Sequence, residues 1–381
     1  MTVDTEHPIR VLEVVDHLGA GGAQELLLGL ARYADRQALD LAFCALHGQG
    51  SYVREIAGLG HPVWSLRPRR LDPRIPLDLL RCLVQGRYDL VHCHLEVSSL
   101  LGPLLGRLAR TPRAVVTVHG IRSQCAPWFF PLLRFLSPLV DRFVAEVHRS
   151  EDELQGAGIP PAKIVYIPIG TDYPLLLAQG RGGDSQAVRR EFGWSAETPL
   201  ILNIARLHPH KGQLLLLDAI VDVLAARPDA RLLLVGDGPL RPVLEATVER
   251  EGLTGRVILA GFRRDLLNLY AACDLLAISS VNEALGVNTI QAMAHAKPVV
   301  AFDVGAMREA VVPEQTGLLV PVGDAEALAQ AIVRLVSDKA LRERLGRAAR
   351  DLVSQHYRLD RLIRDHETLY RTLVTGSGGL L

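Results

Sequence analysis

At 381 residues the chain exceeds one ordinary core and fits two domains of roughly 150 to 200 residues each, with a binding cleft between them as the expectation. Hydrophobic residues make up 49% and charged residues 22%, and 42 Lys and Arg balance 42 Asp and Glu, which argues against disorder and against a whole-chain nucleic-acid footprint. Five cysteines without C-x-x-C spacing argue against a zinc finger or a disulfide framework and fit a reducing cytoplasm.

The start, "MTVDTEHPIR", lacks the basic-then-apolar design of a signal peptide. Uncharged stretches stop at about 13 residues, short of the roughly 20 that span a bilayer, so membrane contact is expected only at the surface. Residues 61 to 113 hold nine Arg against four acids, either a solvated face or a patch for anionic lipid head groups or phosphates.

In chain order, "IRVLEVVDHL", "LDLAFCAL", "HPVWSL", "YDLVHCH", "RAVVTVHG", "RFVAEV" and "KIVYIPIG" are runs apolar on successive residues, separated by segments of helical period. Strands buried on both faces and joined by helices make a parallel sheet. Within the first half, "APWFFPLLRFLSPLV" (126–140) reads as a core helix or as a membrane-touching one. From 173 to 194 the pattern lapses into a polar, glycine-containing stretch, expected to be the interdomain linker. Strands resume with "PLILNIARL", "ARLLLVGDGP", "RVILAGF", "DLLAISS" and "KPVVAFDV". The fold class is α/β, two doubly wound Rossmann-like domains over 1–172 and 195–355, with the helical tail 356–381 able to join either.

In such folds ligands sit at the carboxyl ends of strands. After the first strand, "DHLGAGGAQELL" brings Gly19, Gly21 and Gly22 to a helix start that can face an anion. Gln24 stands where the third glycine of G-x-G-x-x-G belongs, which disfavours a dinucleotide. "VHCH" places His92 and His94 on one strand face without a third ligand spaced for a metal, and "VTVHG" ends on His119. "ARLHPHKG" offers Arg206 and Lys211, one of only four lysines, as a pair suited to a diphosphate. In "AGFRRD", Phe262 and Arg263 can hold a base. In "EALGVNTIQAMA", Glu283 precedes a helix start formed by Leu285, Gly286, Val287 and Asn288, and Gln291 lies eight residues after Glu283. Each turn also has a plain reading as a cap or a solvated loop.

Taken together, "GAGGAQ", "VTVHG", "IPIGTD", "ARLHPHKG", "LLLVGDGP", "VILAGF" and "SSVNEALGVNTIQAMAHAKPVVAFDVGAMREAVVPEQTGLLVPVGD" resemble, in order, the retaining glycosyltransferases of family 4 (glycosyl transferases group 1). The resemblance covers nearly the whole chain and implies the GT-B fold, with the helical tail returning to the first domain. It implies that Gly21 and Gly22 approach the donor diphosphate, that Arg206 and Lys211 bind it, and that amides of Leu285 to Asn288 cap sugar and phosphate. Glu283 would contact the transferred sugar as the first glutamate of an E-x7-E motif, and His119 would lie near the reaction centre. Gln291 stands where the second glutamate is usual, Ile169 where Asn is common, and "VAEVHRS" lacks the family's post-strand serine.

The implied reaction is retaining transfer of a sugar from a nucleotide diphosphate sugar, UDP-linked by preference, to a hydroxyl of a glycan or lipid-linked acceptor, as in cell-envelope or polysaccharide biosynthesis. No metal or other cofactor is expected, in keeping with the absence of a D-x-D sequence. The expected partners are the donor, the acceptor and an anionic membrane surface, with no nucleic acid. Two alternatives stay open: a non-catalytic nucleotide-sugar-binding homologue, and a GT-B phosphorylase or epimerase.

Overall fold

The computed structural model describes residues 7–19, 21–48, 50–70 and 72–376, without the side chain of residue 175. The first six residues, where no signal peptide is expected, and 377–381, the end of the helical tail, lie outside the described residues.

The chain divides into two compact units, one running to Gly170 and resuming at Leu359, the other spanning Thr171–Arg358. The first contains β1 (Ile9–Val15), β2 (Leu39–His47), β3 (Val63–Arg67), β4 (Leu90–His94), β5 (Arg113–Val118), β6 (Arg142–Ala145) and β7 (Ile164–Tyr166). They form one parallel sheet in the order β3-β2-β1-β4-β5-β6-β7. Because successive side chains point to opposite faces, the apolar runs feed two cores. Leu12, Val14, Val91, Cys93, Val116 and Phe143 pack on one side with helices Ile75–Gly86 and Phe129–Leu136. Val11, Val15 and Val115 pack on the other with helix Gly22–Tyr33 and the tail helix Leu359–Thr375. The tail helix seats Leu359 against Gly29, where a Cβ would meet Leu359 Cδ1 at 2.8 Å.

The segment 126–140 is amphipathic. Phe129, Phe130 and Leu133 are buried, while Trp128, Leu132 and Phe135 face out, Phe135 being 78% exposed.

The second unit contains β8 (Leu200–Ile204), β9 (Arg231–Val235), β10 (Val257–Gly261), β11 (Leu275–Ile278), β12 (Val299–Phe302) and β13 (Gly317–Val320), a parallel sheet ordered β10-β9-β8-β11-β12-β13. The four-residue β13 has no clear signal in the sequence, its run being too short to stand out from the turns around it. Strand order reverses between β1 and β4 in one sheet and between β8 and β11 in the other. The loops at those points diverge and leave room for a ligand.

The stretch 173–194 is not a linker. It forms helices Tyr173–Ala178 and Ser185–Glu191 within the second unit. Its polarity hid a packed element: Val188 is fully buried, and Arg189, 6% exposed, donates to the carbonyls of Ser195, Thr198 and Ala272 at 2.6, 2.8 and 2.9 Å. Asp184 caps the second helix by accepting from the Gln186 amide at 2.9 Å.

Candidate functional site

In the second unit the loops after β8 and β11 are stitched together. Ser279 Oγ donates to the Lys211 carbonyl at 2.9 Å and the Val281 amide to the His210 carbonyl at 2.9 Å. Gly212, at φ +63°, allows this approach, since a Cβ would lie 2.0 Å from the Ser279 carbonyl oxygen. Gly305 performs the same service after β12, where a Cβ would sit 1.8 Å from the Glu283 carbonyl oxygen. The sequence carries this signal only as a glycine in another post-strand turn.

The stitched loops bring together the residues the sequence singled out. Lys211 Nζ is ion-paired with Glu283 Oε2, which also accepts from Ser280 Oγ at 3.3 Å. Arg206 is exposed in the same post-β8 loop and its guanidinium has no ion-pair partner among the described residues. Gly286 precedes helix Val287–Ala294 at φ +77°, and no side chain caps that helix, so its first N–H groups are left for another acceptor. The Leu285 side chain is buried in the core, so only its backbone can serve a ligand. Asn288 Nδ2 donates to the Ile204 carbonyl at 2.8 Å and ties the helix start to the end of β8.

Gln291 is 4% exposed, and its Oε1 lies 3.1 Å from the buried Tyr270 hydroxyl, which also reaches Asn288 Oδ1 at 3.2 Å. Nothing in "LLNLYAACD" separates Tyr270 from an ordinary core tyrosine. Phe262 is 63% exposed. Arg263 is not free beside it. Its guanidinium forks onto Glu191 at 2.6 and 2.8 Å and onto Asp265 at 2.8 and 2.7 Å, which pins helix Ser185–Glu191 to the loop after β10. Those side-chain hydrogen bonds, Asp265 first, hold the guanidinium far above its already high range.

In the first unit Gly21 precedes helix Gly22–Tyr33, which has no side-chain cap. A Cβ on Gly21 would meet Gln24 Oε1 at 2.4 Å. Gln24, 3% exposed, donates to the His17 carbonyl at 3.0 Å, which explains an amide where a dinucleotide fingerprint carries glycine. Asp16 accepts from the amide and the hydroxyl of Ser98 at 2.7 and 2.8 Å and so fixes the loop to helix Glu96–Leu108.

His119 closes β5 with both ring nitrogens engaged, Nδ1 with Glu146 Oε2 at 2.9 Å and Nε2 with His94 Nδ1 at 2.7 Å. His94 Nε2 in turn meets Glu13 Oε2 at 2.7 Å. Glu13 also accepts from the Tyr370 hydroxyl at 2.8 Å, and His92 sits between Tyr370 and Thr117. Glu13, His92 and His94 are fully buried. Glu13 supplies the third metal-type ligand that the strand spacing lacked, with ligand atoms of the three within 4.8 Å, yet each donor atom is engaged in a protein hydrogen bond.

Residues 184–352 match the family model described as Glycosyl transferases group 1, and residues 20–173 match that described as Glycosyltransferase Family 4. Similar proteins include the Escherichia coli UDP-Gal:alpha-D-GlcNAc-diphosphoundecaprenol alpha-1,3-galactosyltransferase, 26% identical over 71% of this chain and 72% of its own length. The Bacillus anthracis N-acetyl-alpha-D-glucosaminyl L-malate synthase is 25% identical over 84% of this chain and 83% of its own length. The crystal structure of Anabaena HepE in complex with UDP and glucose superposes with a TM-score of 0.80 at 25% identity, covering 94% of this chain and 98% of that one. The two-sheet architecture is the GT-B fold.

Proposed function

The chain belongs to glycosyltransferase family 4, and from that premise we propose that it transfers a sugar from a UDP-sugar to a hydroxyl of a glycan or lipid-linked acceptor, with retention at the anomeric carbon. The observation that carries this reading is the assembly at the β8/β11 switch point: Lys211 paired with Glu283, Arg206 exposed beside them, and an uncapped helix start at Gly286. Cations and free amides converging on one place suit a diphosphate, and a carboxylate among them suits sugar hydroxyls.

In the proposed reaction the bond from the anomeric carbon to the diphosphate oxygen breaks while the acceptor oxygen bonds to the same face. The acceptor proton passes to the departing phosphate oxygen, so UDP leaves and no glycosyl-enzyme forms. Arg206, Lys211 and the amides of Gly286 to Asn288 stabilise the charge gathering on the diphosphate, and we assign no metal to that task. Glu283 orients the transferred sugar and Phe262 offers an exposed ring to the base, while Gly21 and Gly22, at a helix start without a side-chain cap, are suited by themselves to a phosphate. UDP bound to HepE supports the choice of nucleotide.

A lipid-linked acceptor is supported by the outward row Trp128, Leu132 and Phe135 with exposed Arg134 among them. Leu104 and Leu108 are exposed on the contacting helix Glu96–Leu108, flanked by exposed Arg107 and Arg110. Apolar side chains among arginines match an anionic membrane surface. The diphosphoundecaprenol in the name of the E. coli relative supports the same acceptor class. Among the described residues no helix is long and apolar enough to cross a membrane. Thermal-shift screening of UDP-, GDP- and ADP-sugars, followed by donor hydrolysis on the hits, tests the reading; a preference for GDP- or ADP-sugars would overturn the nucleotide assignment.

A further inference from the structure

Inside the first unit four titratable groups stand in series: Glu13 Oε2 to His94 Nε2 at 2.7 Å, His94 Nδ1 to His119 Nε2 at 2.7 Å, and His119 Nδ1 to Glu146 Oε2 at 2.9 Å. Each contact is at hydrogen-bond length and each needs one proton. Two neutral imidazoles carry one proton apiece, whereas three contacts need three. With carboxylates at both ends, the series closes only if the histidine pair carries one extra proton. Left without it, one buried contact would set lone pair against lone pair, which is costly in a low-dielectric interior.

We propose that Glu13 is a positioning residue which, acting through His94, holds His119 as an imidazolium at the carboxyl end of β5. Because both ring nitrogens are already committed, what His119 offers a ligand is a fixed positive charge, not a free N–H. For the role in catalysis this rests on the transferase reading, in which a fixed positive charge suits an anionic substrate.

The surroundings favour this placement of the proton. Burial, aided by neighbouring His92, pushes His94 down to about 3 and keeps it neutral. Burial pushes the Glu13 carboxyl up, but the facing histidines His92 and His94 outweigh it and hold the group well below the usual carboxylate range. On Glu13's other oxygen sits the Tyr370 hydroxyl, whose own ionisation is pushed up by burial and by Glu13, so it remains a donor. His366, from the same tail helix, is held neutral by burial, with its Nδ1 on the Leu362 carbonyl at 2.9 Å. His92 is likewise pushed down by burial and accommodated between Tyr370 and Thr117. Glu146 is then the carboxylate partner of the imidazolium, and only His119 and Glu146 of the series reach the surface, with side chains 6% and 13% exposed.

The same count gives the test. With Glu13→Gln, the new amide donates to His94 Nε2, His94 donates to His119, and His119 donates to Glu146. All three contacts are satisfied by neutral rings, so this variant should fold and lose the charge. Glu146→Gln reaches the same end from the other side and covers the case in which Glu13→Gln fails to fold. Nitrogen-15 NMR of the imidazoles in the full chain near pH 7.5 should show both His119 nitrogens protonated in the wild type and one deprotonated in either variant. Donor turnover by Glu13→Gln should fall about 10- to 100-fold in kcat with little change in KM and with an altered pH profile.

A neutral His119 in the wild type overturns the proposal, as does a charge indifferent to Glu13→Gln, or stoichiometric zinc in the purified protein, which would take the His94 nitrogen. The NMR arm needs no substrate. A charged His119 in a chain that consumes no nucleotide sugar sinks the transferase reading and keeps this one, and an active enzyme with a neutral His119 does the reverse.

Discussion

Tyr270 places its hydroxyl 3.1 Å from Oε1 of Gln291, with both side chains buried. The hydroxyl has one proton and a second acceptor, Asn288 Oδ1 at 3.2 Å, whose amide is oriented by its bond to the Ile204 carbonyl. A carboxylate at 291 would take that proton more strongly and leave Asn288 Oδ1 short of a donor. We therefore expect Gln291→Glu to lose about 1 to 2 kcal/mol without nucleotide, seen as a lower Tm. A UDP-sugar should then raise its Tm more than it raises the wild type's, because a carboxylate grips ribose hydroxyls better than an amide does. An unchanged Tm together with weaker binding would show that the amide serves the ligand directly.

Lys211 and Arg206 have different neighbours and should fail differently. Lys211→Ala removes a diphosphate cation and leaves Glu283 with Ser280 alone, so kcat/KM should fall about 100- to 1000-fold. Arg206→Ala removes an exposed side chain, so activity should fall with Tm unchanged. Steady-state kinetics beside melting curves separate the two, and full activity in Arg206→Ala would remove it from the site.

The buried histidines predict acid sensitivity of the first unit. Burial lowers His92, His94 and His366 in the folded state, so between the ordinary histidine value and the lowered one the unfolded chain binds more protons, and stability falls as pH falls. For His94, with a folded value of about 3, acidification from pH 6.5 to 5 should cost about 2 kcal/mol. Glu13 adds its own loss only below the ordinary carboxylate range, where the unfolded group takes up its proton first. Hydrogen exchange in β1 and β4 at pH 7 and pH 5 reports the effect, and equal protection at both would contradict it.

Replacing Trp128, Leu132 and Phe135 with serine should abolish binding to anionic liposomes while leaving Tm within a degree or so, since all three side chains face outward. Wild-type binding should weaken with salt, as charge attraction does. Co-sedimentation indifferent to both lipid charge and salt would remove the membrane proposal.

What could be read from the sequence was local. The turns after β8 and β11 each carry their chemistry within a few residues, so "ARLHPHKG" and "NEALGVN" declare themselves, and the apolar runs declare the sheets. The Glu13 network is the opposite case. It draws on β1, β4, β5, the turn after β6 and a tail helix whose Tyr370 lies 357 residues from Glu13. Its one local trace is a glutamate inside the apolar run "IRVLEVV", a buried charge that asks for a partner. Arg263 misleads for a related reason: its neighbours Phe262 and Asp265 are visible in sequence, but Glu191, 72 residues away, is not. The helix around Arg189 was concealed because a buried arginine that bonds to carbonyls looks like a surface one.

The most direct test of the central claim is UDP release from a panel of UDP-sugars, with and without lipid-linked and glycan acceptors, in the wild type and in Lys211→Ala. The account predicts acceptor-dependent UDP release with an axial-to-axial or equatorial-to-equatorial outcome at the anomeric carbon, and its near loss in the variant. Binding of a UDP-sugar with no release under any acceptor, or release unchanged by Lys211→Ala, would contradict it.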